Sequence, residues 1–151
     1  MRILLFLLAL PAFAQFRTIE VRFEGIGCAS CIESLPARMQ RIRGIESATV
    51  DAAAGVLKVK LAEQNRVRVE QIRDAIEQDG TKARDARVIV RGDLAKDGDH
   101  WILKPAGVPA GYAVETAAPA TGSCIVDGVI ANLRPANGPL VIQATAVRKA
   151  E

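Results

Sequence analysis

Histidine is nearly absent from this chain. Its single copy, His100, lies in Asp97-Gly98-Asp99-His100, a turn-like stretch. That scarcity excludes a histidine-rich metal site, and no Ser-His-Asp set, paired-carboxylate signal or phosphate-binding loop stands out, so an enzyme is not expected. Aromatic residues make up 4% of the chain and the net charge is only +3. Nucleic-acid binding asks for a clustered positive face or base-stacking aromatics, and neither is present. No apolar run reaches the ~20 residues that a membrane-spanning helix needs. Cysteine is scarce as well, with three copies.

Half of the residues are apolar, enough for a packed core. The N-terminus has the pattern of a secretory signal: Arg2, an unbroken apolar run from Ile3 to Leu10, then Pro11-Ala12-Phe13-Ala14 with small residues where a signal peptidase reads. Residues 1–14 are therefore expected to be removed, with Gln15 as the mature start. The mature protein is expected in the periplasm or secreted, without stable membrane insertion, as a monomer. Such compartments oxidise thiols that nothing holds reduced.

Thr18-Ile19-Glu20-Val21-Arg22-Phe23 alternates polar and apolar, as a half-buried strand does. After it comes Gly25-Ile26-Gly27-Cys28-Ala29-Ser30-Cys31. Ile32, Leu35, Met39 and Ile42 then repeat at helical spacing up to Gly44, interrupted by Pro36, which either starts the regular helix near Ser34 or kinks its first turn. Ile45–Asp51 and Val56–Leu61 read as strands around an Ala52–Gly55 turn. Val69, Ile72 and Ile76 mark a second helix ending at Asp79-Gly80, and an extended stretch follows Thr81. The order β-α-β-β-α-β is that of a ferredoxin-like sandwich. From Arg87 onward no helical period appears. Arg87–Leu94, Trp101–Lys104, Tyr112–Thr116, Ser123–Leu133 and Leu140–Val147 read as turn-punctuated strands, which suggests a small OB-like β-barrel. The expected fold is thus α+β, with a signal at 1–14, a ferredoxin-like domain at 15–87 and an OB-like barrel at 88–151.

The chemistry concentrates in Cys28 and Cys31. A thiolate is the form that binds soft metals, and Cys31 falls near a helix N-terminus, where an anion is favoured. Two thiolates without a neighbouring histidine make a poor zinc site, because zinc collects four ligands. They suit a soft ion content with two, such as Cu(I), Ag(I) or Hg(II). The same Cys-x-x-Cys spacing also serves thiol-disulfide exchange, so a secreted redox protein is the alternative.

The glycine-flanked cysteine turn together with the β-α-β-β-α-β order resembles the heavy-metal-associated domain, over about Phe16 to Arg87. The resemblance implies binding and transfer of Cu(I) or Hg(II) between Cys28 and Cys31, handed to a metal transporter or an acceptor metal-binding domain, without catalytic turnover. In that family the turn is usually Gly-Met-x-Cys-x-x-Cys and the methionine packs inward, a place taken here by Ile26. Asp74–Gly80 resembles the end of the family's second helix. Where an aromatic residue often follows the glycine, this chain has Thr81 and then Lys82, a lysine able to offset thiolate charge. Cys124, in the apolar stretch Ser123-Cys124-Ile125-Val126, is expected as a buried free thiol. His100 is expected on a solvated turn, Trp101 and Tyr112 in the core or at the barrel rim, and Glu33 and Arg38 on an ordinary helix surface.

Overall fold

The computed structural model describes residues 15–25, 28–117 and 120–151. Residues 1–14, expected to be a signal, and Ile26 and Gly27 of the cysteine turn lie outside the described residues. The elements in chain order are β1 (Gln15–Glu24), α1 (Ala29–Glu33), α2 (Leu35–Gln40), β2 (Ile45–Asp51), β3 (Val56–Leu61), α3 (Val69–Glu77), β4 (Lys82–Asp97), β5 (His100–Lys104), β6 (Tyr112–Glu115), β7 (Gly122–Ile130) and β8 (Val141–Lys149).

The first helix expected from the sequence is two pieces. Pro36 is the second residue of α2, where its missing N–H costs nothing, and the break falls at Ser34. Strands β2, β3, β1 and β4 lie side by side, all antiparallel. Ile32, Leu35 and Met39 of the split helix, with Val69, Ile72 and Ile76 of α3, are buried in one core with Ile19, Val21, Leu57 and Val59. The turn between β2 and β3 brings Gly55 to φ +66°, and a Cβ there would stand 2.7 Å from the Phe23 carbonyl oxygen, so glycine is required.

Strand β4 does not stop where the ferredoxin-like order is complete. It runs for 16 residues, pairing β1 from Lys82 to Arg91 and β5 from Asp93 to Asp97. Its other edge pairs β7 from Ala86 to Leu94. With β6 parallel to β8 and β8 antiparallel to β7, the strands form a closed circuit β4-β5-β6-β8-β7-β4. The division expected between residues 87 and 88 therefore falls in the middle of a continuous strand. Register explains why the two halves meet there. Val88 stands opposite Ile19 of β1 and opposite Gly128 of β7, while Val90 stands opposite Phe16 and Val126. Residues directly opposite share a face. The face of the sheet that the helices cover thus continues across β4 into the interior of the circuit. Phe16 and Tyr112 close the seam edge-to-face, ring centres 5.4 Å apart, and both are fully buried. Among the described residues the 28 buried apolar side chains form a single cluster, so the two halves have one core.

Among the described residues no helix is long and apolar enough to cross a membrane.

Candidate metal-binding turn

Cys28 is the N-cap of α1, with extended backbone (φ −161°, ψ 148°), and its Sγ accepts the backbone N–H of Cys31 at 3.1 Å. A sulfur therefore occupies the position that a Ser or Asp oxygen takes in an ordinary cap, and it satisfies one of the orphan donors of the helix start. The Ser30 hydroxyl lies 3.3 Å from the same sulfur. Cys28 and Cys31 are half-buried, while Ala29 and Ser30 between them are exposed, so the turn presents the pair to solvent. The two cysteines are joined as a disulfide, with Cα atoms 5.3 Å apart. Both expected site residues are thus brought together. The third cysteine is not part of the site: Cys124 is free and buried, donates to the Ala120 carbonyl at 3.2 Å, and has its thiol pKa raised by burial.

Among the described residues no group of three or more His, Cys, Asp or Glu side chains converges as a metal site. The remaining residues, 1–14, 26, 27, 118 and 119, include none of these four types. His100 is exposed at the start of β5, Tyr112 is buried and Trp101 half-buried. Lys82 is exposed and pairs with Glu24 across the β1–β4 ladder, and its Cγ lies 3.9 Å from where a Cβ on Gly25 would stand. The lysine stem thus borders the turn.

Sequence reasoning missed one contributor. Arg38, expected on an ordinary helix surface, has a side chain only 14% exposed and is ion-paired to Asp79 at 2.8 Å. Asp79 is held by its own turn as well. The Thr81 hydroxyl donates to Oδ1 at 2.7 Å and the Thr81 N–H at 3.1 Å. That hydroxyl bond, aided by Arg38, brings the Asp79 carboxyl down to about 2 despite partial burial. Thr81 therefore fills, as a buried hydrogen-bonding residue, the place where the resemblance leads one to expect an aromatic ring. The available signal for Arg38 was its spacing, seven residues after Cys31, which returns to the same face after two helical turns.

A cleft between the β1–β4 end and residues 131–134 adjoins the same region. Its charges are largely matched in pairs, Arg22 with Asp85, Arg84 with Glu24 and Arg134 with Glu77, so it presents no strong field of one sign.

The described residues thus hold a split β-α-β-β-α-β unit with paired cysteines at its first strand-to-helix turn. The model of the heavy-metal-associated domain matches residues 20–82. The copper chaperone CopZ of Staphylococcus haemolyticus (strain JCSC1435) is 33% identical over 60 residues, covering 40% of this chain and 87% of that protein. The chain belongs to the heavy-metal-associated family through this segment. Similar solved structures include a CopZ metallochaperone (29% identical, 44% of this chain and 97% of that one, TM-score 0.40). Another is the N-terminal domain of a potential copper-translocating P-type ATPase from Bacillus subtilis in the Cu(I)-loaded state (25% identical, 45% and 84%, TM-score 0.40).

Proposed function

We propose that this protein is an exported carrier that holds one Cu(I) ion between the thiolates of Cys28 and Cys31 and passes it to an acceptor domain of a metal transporter. The observation that carries the reading is the cysteine pair itself, half-buried at a helix cap inside the family segment and without a third ligand. Two thiolates suit a soft monovalent ion and leave zinc short of its usual four donors. The copper chaperone relative supports copper, whereas nothing comparable supports Hg(II), which two thiolates would also accept. A two-coordinate ion leaves room for an incoming thiolate to bind before the first pair lets go, as transfer requires. Lys82 offsets part of the negative charge of a bis-thiolate complex. The circuit β4-β5-β6-β8-β7, with its return pairing onto β4, supports an OB-like reading of the second half, which serves as structural support for the carrier. Export rests on Arg2, the Ile3–Leu10 run and Ala12/Ala14, and intact mass of protein expressed with its leader tests it. The expected mass begins at Gln15, and retention of residues 1–14 would refute cleavage.

The anaerobic reduced protein, titrated against a competing chelator, is expected to take up one Cu(I) far more tightly than Zn(II). Cys28→Ser and Cys31→Ser each remove most of the affinity, Cys124→Ser leaves it intact, and oxidation of the pair abolishes it. Zinc binding tighter than Cu(I), or a stoichiometry that survives loss of both cysteines, would end the reading. One observation favours a second function: the pair is bonded as a disulfide. A thiol-disulfide protein would show exchange with dithiol substrates and no selective Cu(I) uptake.

A further inference from the structure

Arg38 reaches three segments at once. Its guanidinium donates to the Ala75 carbonyl of α3 at 2.8 Å and to Asp79 Oδ2 in the α3–β4 turn at 2.8 Å. It also donates to Ser34 Oγ at 3.0 Å and to the Cys31 carbonyl at 3.4 Å. The Ser34 hydroxyl donates in turn to the same Cys31 carbonyl at 2.8 Å. Arg38 is the right residue for this task, because a planar fork satisfies several acceptors in fixed directions and a lysine ammonium does not.

The cysteine turn needs such an anchor. Helix α1 has five residues and no acidic residue in its first turn. A helix this short does not hold itself in water. Backbone bonds cross the break at Ser34, from its N–H to Ser30 and from the Arg38 N–H to its carbonyl, but across the break the Cys31 carbonyl is held by the Ser34 and Arg38 side chains. Asp79 is itself locked by Thr81, which gives the arginine a fixed counterpart rather than a mobile surface carboxylate.

From this the geometry points to Arg38 as the positioning residue for the second thiolate: it ties the Cys31 backbone to α3 and to the Asp79–Thr81 turn, next to which Lys82 stands. The inference rests on the carrier function proposed above. Arg38 touches no ion. It sets where the Cys31 sulfur points relative to Cys28, as groups behind a ligand do in other metal sites.

The test uses the full mature chain with Arg38→Gln, Arg38→Lys and Ser34→Ala, and Ile142→Val as a control that loosens core packing at β8, away from the turn and from α3. Three quantities are measured for each: Cu(I) affinity by chelator competition, the reduction potential of the Cys28–Cys31 pair, and the unfolding midpoint. Arg38→Gln is expected to weaken Cu(I) binding by about tenfold or more, the range for residues that orient metal ligands, and to shift the potential. Arg38→Lys should recover only part of both, because one nitrogen cannot serve α3 and the Cys31 segment together. Ser34→Ala, at an exposed position, should weaken binding less and keeps the test alive if Arg38→Gln fails to fold. Ile142→Val should lower the midpoint with affinity and potential unchanged. If Arg38→Gln or Ser34→Ala lowers only the midpoint, with affinity and potential at wild-type values, Arg38 is structural and the proposal falls. A wild-type protein that takes up no Cu(I) would instead sink the carrier reading, and the potentials of the variants would still decide the role of Arg38.

Discussion

Leu103→Ala, a change in the half of the chain beyond the family segment, should destabilise the half that carries the cysteines by the same amount as its own. Leu103 is fully buried on β5, opposite Leu94 of β4 and Tyr112 of β6. A Cβ on Gly92 of β4 would meet its Cδ1 at 2.9 Å, so the side chain lies directly over the shared strand. Truncating a fully buried leucine costs about 2–5 kcal/mol, toward the upper end where neighbours cannot collapse into the space. Two probes report on the halves separately. Among the described residues all three helices lie before residue 78, so far-UV helical signal follows the first half, and the single tryptophan, Trp101 on β5, follows the second. In urea unfolding of the wild type the two signals should coincide in one transition, as a single cooperative unit requires. In Leu103→Ala both midpoints should move together, with an unchanged slope. A double-mutant cycle between Phe16→Leu and Tyr112→Leu should show coupling of about 0.5–1.5 kcal/mol, the value for an edge-to-face aromatic pair. If the fluorescence transition of Leu103→Ala shifts while the helical signal stays in place, the halves unfold separately and the single-core argument is refuted.

Two further outcomes follow from the surroundings of the turn. Asp79 is held at about 2, below its ordinary value of 3.8, by Thr81 and Arg38. A depressed carboxyl contributes stability that is fully present above its unfolded pKa and is lost as pH falls through the folded one. The loss should fall between about pH 4 and pH 2, be on the order of 1 kcal/mol, and be absent in Asp79→Asn, as followed by urea unfolding across that range. Lys82→Ala should weaken Cu(I) binding by about 1 kcal/mol or less, since the ammonium is exposed and screened; a loss of several orders of magnitude would mean that the lysine does more than offset charge.

The first half was legible because its signals are local. Alternation in Thr18–Phe23, helical spacing in Ile32–Met39 and Val69–Ile76, and a glycine turn at Gly55 each act within a few residues. The strands of the second half were legible for the same reason, punctuated by turns such as Gly98-Asp99, which joins β4 to β5 in register. Strand β4 was harder to see as one element. Its first residues, Lys82-Ala83-Arg84-Asp85, lack β-branched side chains, and their charges pair across the exposed face with Glu24 and Arg22. Its buried positions, Ala86, Val88, Val90, Gly92 and Leu94, do alternate, but two of them are too small to register as hydrophobic. The pairings of β7 onto β4 and of β6 onto β8 join residues tens of positions apart, and no local pattern encodes them. Arg38 was misread because charge in a short helix ordinarily means solvent; its acceptors on α3 and at Asp79 exist only once the helices are packed.

Length in β4 also explains what the second half does for the turn. In a β-α-β-β-α-β unit that ends after its fourth strand, that strand is an open edge, able to pair with another chain. Here β7 covers the edge from Ala86 to Leu94 but leaves Lys82 to Asp85 unpaired on that side, so the ladder stops short of the cysteine end. Beyond β7 the chain turns onto α3. Arg73 donates to the Leu133 carbonyl at 2.7 Å, and Arg134 pairs with Glu77. Helix α3 is thus gripped near its C-terminus from two sides, by Arg38 at Ala75 and by Arg134 at Glu77. The Asp79–Thr81 turn follows immediately, and with it the residues that hold Cys31 in place. The second half therefore bears on the cysteine turn through α3: it covers the sheet edge from Ala86 to Leu94 and braces the helix that leads into the Asp79–Thr81 turn, while Cys28 and Cys31 stay half-buried.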